Sequence, residues 1–174
     1  MGLKSILILL FTALFGAAQA QKGEKSIAAG PLISFPLELE GTTGDLKPGL
    51  GIETIGQYNF SKKSALLLKM TFASWGIKNE AYGYETKRLN FLTFQGGYQY
   101  QFGSSGFFIN GLLGADIDLQ DGYTTGCFTL GIGKRFMIKN DRFIDAGIDL
   151  MGADAQERIN IKIIFSLFRW LAEN

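Results

Sequence analysis

Histidine is absent from all 174 residues, and cysteine occurs once. Without an imidazole there can be no Ser–His or Cys–His nucleophilic pair, and the commonest metal ligand is missing. A structural zinc site has no plausible ligand set, because Cys127 stands alone. The single thiol also excludes an intramolecular disulfide, so Cys127 is read as a small, inert strand residue. No G-x-x-x-x-G-K-[ST] loop occurs to cradle a phosphate. Neither a cofactor nor a metal is expected.

An excess of one charge is missing too. Lys and Arg number 17 against 16 Asp and Glu, and Lys4 is the only charge in the first twenty residues. The remainder is formally neutral and has no global field to attract nucleic acid. Beyond residue 20 no apolar run approaches the roughly 18 residues a membrane helix needs. Residues 1–20 read as a cleaved secretory signal peptide. Lys4 supplies the positive end, Ile6 to Phe15 the short apolar segment, and Ala18-Gln19-Ala20 the small-residue cleavage site. Residues 21–174 are expected to form one domain.

Apolar residues make up 47% of the chain, with 23 Gly and 15 Phe, and they arrive in strand-length pieces with period-2 alternation. The clearest piece places Ile159, Ile161, Ile163, Phe165 and Leu167 opposite Asn160, Lys162 and Ser166. Earlier strands are predicted over about 27–36, 49–60, 65–75, 89–102, 107–119, 127–138 and 143–151. The first is the weakest, since Pro31 and Pro36 each remove a ladder donor. The tail also satisfies an i, i+3, i+4 pattern through Ile161, Ile164, Phe165, Phe168 and Leu171, so a helix competes there with the strand.

Tight turns are predicted at Ser61, Gly103 and Lys139, and looser loops at about 39–48, 77–87, 120–125 and 152–156. Aromatics gather at both sets of ends. Tyr58, Phe60, Tyr98, Tyr100, Phe102, Phe107, Phe136, Phe143, Phe168 and Trp170 lie near the tight turns. Phe35, Phe72, Trp75, Tyr123 and Phe128 lie near the loops. Two such groups suggest belts at membrane–water interfaces, although aromatics also favour strands in general. Lys134 interrupts an apolar face, in a place where its stem can reach toward headgroups. The expectation is an all-β, eight-stranded, antiparallel up-and-down transmembrane β-barrel.

Leader, strand ladder and aromatic last strand together resemble the small outer-membrane β-barrel family of Gram-negative cell envelopes, which includes OmpA- and OmpX-type barrel domains. The glycine-spaced runs Gly49-Leu50-Gly51-Ile52 and Leu130-Gly131-Ile132-Gly133 look like barrel-domain proteins common in Bacteroidetes. The resemblance covers nearly all of residues 21–174 and implies an outer-membrane location, contact with outer-membrane lipid and a monomer. It also implies recognition of the last strand by the assembly machinery, through Phe165, Leu167 and Trp170. Leu171 to Asn174 extend beyond that signal. Lipid hydrolases and acyltransferases of this shape resemble His-dependent enzymes, a class the composition disfavours.

On the polar faces, Glu53, Lys69, Asp116, Asp118, Arg135, Asp145, Asp149 and Lys162 share one side of their strands. Carboxylate pairs such as Asp116 with Asp118, or Asp145 with Asp149, can hydrolyse glycosides. Mixed charges inside a narrow barrel more often make an ion-paired plug. The expected role is therefore non-enzymatic: envelope integrity, or surface contact through short extracellular loops, with Tyr82, Tyr84 and Tyr123 as contact candidates. The competing reading is a soluble exported lipocalin-like barrel that binds a lipophilic ligand. It would put Leu, Ile and Phe inside and the charges outside. A passive pore would need a wider barrel.

Overall fold

The computed structural model describes residues 23–37, 46–76, 88–139, 142–153 and 156–170. Eight antiparallel strands follow in order: β1 (Glu24–Leu37), β2 (Gly49–Asn59), β3 (Ser64–Gly76), β4 (Arg88–Gln101), β5 (Phe107–Asp118), β6 (Thr124–Met137), β7 (Phe143–Ala153) and β8 (Gln156–Trp170). Each pairs with the next, and β1 pairs with β8 to close the barrel. The tail is strand through Trp170, because its alternating face is buried between β7 and β1.

Closure carries a stagger. Ladder partners followed from Ala28 through Ile55, Lys69, Gln95, Gly114, Cys127 and Ala153 lead to Gln156. Ala28 itself pairs with Ser166, ten residues farther along β8 (166 − 156 = 10). With ordinary strand rise and spacing, this shear tilts the strands about 40° from the barrel axis. The barrel is narrow enough for side chains to fill.

Pro31 and Pro36 both lie within β1. Pro31 faces outward, and pairing with β8 lapses at Gly30 and Pro31, where no proline N–H is available, and resumes at Leu32. The register between β1 and β8 shifts between Ile27 and Ala28, which leaves Leu167 as an extra residue. This bulge puts Leu167 and Phe168 on the same outer face and turns Arg169 inward.

Connections differ from expectation on one side. The turns at 60–63, 102–106 and 138–142 are short, and Gly103 (φ 53°) and Gly106 (φ 77°) hold left-handed positions that favour glycine. The β5–β6 connection was predicted to be looser but is also a compact turn. Asp118 N–H donates to Tyr123 O (2.8 Å), Gly122 N–H donates to Asp118 O (2.9 Å), and β6 already starts at Thr124. Turn hydrogen bonds shorten a segment that composition alone reads as loop. Below, the end with turns 60–63, 102–106 and 138–142 is called the turn end, and the other the loop end.

Polarity decides the class of barrel. Large apolar side chains cover the outer wall, including Leu50 (65% exposed), Leu113 (72%), Leu130 (59%) and Ile132 (61%). Inside lie Glu53, Lys69, Thr71, Thr93, Gln95, Asp116, Thr129, Asp149, Arg158, Asn160 and Lys162, all buried. A continuous apolar wall is unstable in water and fits hydrocarbon, where a closed barrel satisfies its own backbone. The soluble lipocalin-like alternative required the reverse arrangement and is overturned. The protein is a transmembrane β-barrel.

The aromatic groups also need correction. Phe60, Tyr98, Phe102, Phe107, Phe136 and Phe168 are exposed at the turn end, and Phe35, Phe72, Tyr123 and Phe128 toward the loop end. Trp75 and Phe143 were assigned to these belts but are buried inside, at 0% and 3% exposure. Strand phase is the cause. Trp75 is in step with Lys69 and Thr71, and Phe143 with Asp145 and Asp149. Gly49 leaves the space that the Trp75 indole occupies; a Cβ there would collide with the ring.

A charge on the outer wall should be costly. Leu130→Arg, at mid-strand, is expected to lose about 2–4 kcal/mol in urea unfolding from lipid vesicles. On a water-facing surface the same change would stay within about 0.5 kcal/mol.

Candidate functional site in the barrel interior

Inward residues fall into layers because each strand meets them in the same order. From the loop end, β8 presents Arg158, Asn160, Lys162 and Ile164, while β7 presents Met151, Asp149, Asp145 and Phe143. The uppermost layer centres on Arg158. Its Nη2 donates to Asp116 Oδ1 (2.8 Å) and to Thr93 Oγ1 (2.9 Å), and Thr93 donates to Asp116 (2.5 Å). The guanidinium lies 5.1 Å from the Trp75 ring and 5.6 Å from the Phe91 ring. Below it, Thr129 donates to Gln95 Oε1 (2.9 Å), and Gln95 Nε2 donates to Cys127 Sγ (3.4 Å).

At the centre is a quartet of two cations and two anions. Lys162 Nζ donates to Glu53 Oε1 (2.8 Å) and Asp149 Oδ2 (2.6 Å). Lys69 Nζ lies 3.1 Å from Asp149 Oδ2 and 3.6 Å from Glu53 Oε2. Thr71 Oγ1 donates to Glu53 at 3.3 Å. No side chain of the four exceeds 2% exposure. Charges this deep persist only when paired and hydrogen-bonded, and here each cation touches both anions. Gly131 makes room for the quartet, since a Cβ there would strike Asp149 and Asn110.

Beneath the quartet, Ala28, Ile55, Ala65, Leu67, Leu112, Phe143 and Ile164 form an apolar layer. Closer to the turn end, Arg135 grips Asp145 with both Nε (2.8 Å) and Nη2 (2.7 Å), donates to Gln57 Oε1 (2.8 Å), and lies 3.7 Å over the Phe143 ring. Arg169 lines the mouth, where it makes a two-point contact to Glu24.

Of the eight charges predicted to face inward, Glu53, Lys69, Asp149 and Lys162 come together in one cluster. Asp116 and Arg135–Asp145 lie in separate layers, above and below. Asp118 does not join them. It lies at the rim, where its carboxylate accepts the Gln120 backbone N–H (2.8 Å) and braces the β5–β6 turn. Sequence reading missed Arg158, Arg169 and Glu24. Arg158 is in step with Asn160 and Lys162, so continuing that alternation by one residue would have found it. Arg169 turns inward only because of the bulge. Of the paired carboxylates, Asp116 is held by Arg158 and Asp118 by the Gln120 backbone N–H. Asp145 is bound to Arg135 and Asp149 to the lysines. Among the described residues no group of His, Cys, Asp or Glu could hold a metal ion.

Comparison with solved structures agrees with this architecture. Ail, the attachment invasion locus protein of Yersinia pestis, crystallised with the heparin analogue sucrose octasulfate, superposes with a TM-score of 0.60. The match covers 86% of this chain and 100% of Ail at 18% identity. Neisserial surface protein A gives a TM-score of 0.56 at 10% identity, over 87% of this chain and 97% of its own. The fold is that of the small outer-membrane barrels. No protein-family model matches the sequence, and no curated protein does. Ail in a phospholipid bilayer nanodisc also matches, with a TM-score of 0.54, over 83% of this chain and 99% of its own at 16% identity.

Removing one member of the quartet should expose its coupling. Lys162→Met is expected to cost about 3–5 kcal/mol by leaving a buried carboxylate without its cation. Adding Glu53→Gln keeps the Lys69–Asp149 pair and should recover about 0.5–3 kcal/mol of that loss. Urea unfolding in lipid vesicles measures both, and strictly additive losses would show that the four groups are independent.

Proposed function

We propose that the protein is a non-enzymatic, monomeric barrel of a Gram-negative outer membrane that supports envelope integrity or surface contact. One observation carries the reading: an apolar outer wall around an interior packed with paired charges. Such a barrel has a lipid-facing surface and an interior narrow enough for side chains to fill, which leaves no aqueous channel. Residues 1–20 would direct export, and β8 would be the segment read by the assembly machinery. Both roles follow from the leader pattern and the aromatic last strand.

Contact would fall to the loop end. Tyr123 is 64% exposed on the β5–β6 turn, whereas Tyr82 and Tyr84 lie outside the described residues. Ail was crystallised with a sulfated sugar analogue. Among the described residues, the loop-end charges outside the interior ion pairs are Lys47 and Arg88 against Asp118, Asp121 and Glu157, with no excess of basic groups for such a ligand. Among the described residues, a surface partner would instead meet the exposed Tyr123 beside more acidic than basic groups.

Fractionation of expressing cells tests the reading, with membranes run on gels unheated and boiled. The expected result is recovery in the outer membrane with a heat-dependent mobility shift, as a closed, detergent-resistant barrel gives. Soluble periplasmic recovery without a shift would sink it.

A further inference from the structure

The two ends of the barrel differ sharply in charge. At the turn end the described charged residues are Glu24, Lys25, Lys62, Lys63, Lys134, Arg135, Lys139, Arg142, Asp145 and Arg169. Both acids are consumed, Asp145 by Arg135 and Glu24 by Arg169. That leaves Lys25, Lys62, Lys63, Lys134, Lys139 and Arg142 with no carboxylate partner among the described residues. Asp141 and Glu173 lie outside the described residues. Among the described residues the loop end has no such surplus, since Lys47 and Arg88 are outnumbered there by Asp118, Asp121 and Glu157. The chain is nearly neutral as a whole, so this is a segregation of charge along the barrel axis.

Position narrows what the cations can meet. Lys134 belongs to the outer face of β6, in step with the exposed Leu130, Ile132 and Phe136. Its Nζ lies 4.9 Å from the Phe107 ring centre and 5.3 Å from that of Phe136, within the exposed aromatic group of this end. Lys134 is half-buried among these rings, and Lys25 is exposed on the outer face of β1, in step with Ile27 and Ile33. A cation on the lipid-facing wall, at the level of interfacial rings, meets lipid headgroups rather than a soluble polymer. Lys62, Lys63, Lys139 and Arg142 are exposed on the adjoining turns, just beyond the wall.

We infer that these six residues form a basic belt that binds the phosphates of anionic phospholipids in the leaflet facing the turn end. The inference rests on the membrane reading above and adds a lipid class and a side to it. The belt draws anionic lipid into the annulus and sets the depth of the barrel, because moving Lys134 toward the hydrocarbon would strip its ammonium of phosphate and water.

Trace spin-labelled phosphatidylglycerol or phosphatidylcholine, in vesicles of unlabelled phosphatidylcholine carrying the purified protein, reads this out by electron paramagnetic resonance. The motionally restricted lipid fraction should favour phosphatidylglycerol by about threefold at low salt, and the preference should fall in about 0.5 M sodium chloride. Combined Lys25→Gln, Lys62→Gln, Lys63→Gln and Lys134→Gln should bring the ratio close to one, while Lys47→Gln with Arg88→Gln should leave it unchanged. Equal affinity for the two labels, with a restricted fraction still present, overturns the belt and leaves the membrane reading standing. Equal affinity together with retention of soluble polyphosphate also overturns it and assigns the cations to a soluble polyanion. Absence of any restricted fraction for either label overturns the membrane reading itself.

Discussion

Hydrocarbon offers backbone groups no partner, and an unpaired N–H or C=O there costs several kcal/mol. β1 therefore has to meet β8, and the cylinder can close only with its strands staggered and tilted. A stagger of ten over eight strands produces an interior narrow enough for side chains to occupy. The other features are consequences of that closure. Pro31 is tolerated because it faces lipid where pairing with β8 already lapses, and the bulge at Leu167 absorbs the remaining mismatch where the last strand meets the first.

A closed, narrow interior lined by alternate residues of eight strands then needs its own chemistry. Purely apolar side chains on both faces would leave each strand without a preferred side, so register could slip at little cost. Charges on the inner face remove that ambiguity. A one-residue slip of β8 would carry Lys162 into lipid and leave Glu53 and Asp149 short of a cation. Buried ion pairs are a weak source of stability in general, and their stronger contribution here is to specify which arrangement forms. The layering supports this view. Charges with matched partners occupy the upper, central and lower parts of the barrel, and the apolar layer of Ile55, Leu67, Leu112 and Ile164 separates the quartet from Arg135.

Outside, the same alternation supplies the membrane-facing wall, and the ends supply its limits. Exposed aromatic rings mark both interfaces, and the cation surplus at the turn end gives the barrel a polarity that its even strand count and near-neutral total charge conceal. Lys134, an interruption when read along β6, becomes intelligible once Phe107 of β5 and Phe136 are seen on either side of it.

Much of this was legible in the residues. Alternation is a local property, so Ile159 to Leu167, or Leu66 to Phe72, announces a two-faced strand without any tertiary information. Eight such segments behind a leader pattern narrow the fold to a closed antiparallel barrel. Local pattern cannot say which face turns inward, however, and the transmembrane and lipocalin-like readings predicted opposite answers from the same alternation. Nor can it show the long-range pairings. Lys162 and Glu53 are 109 residues apart in sequence, and Arg135 and Gln57 are 78 apart. Trp75 and Phe143 resembled belt residues because aromatic type and strand-end position are local, whereas the cavity left by Gly49 exists only after β2 and β3 pair. The sequence by itself determined strand, phase and the division into two chemical faces. Closure of β1 on β8 decided inside from outside, because only the assembled ring has an interior.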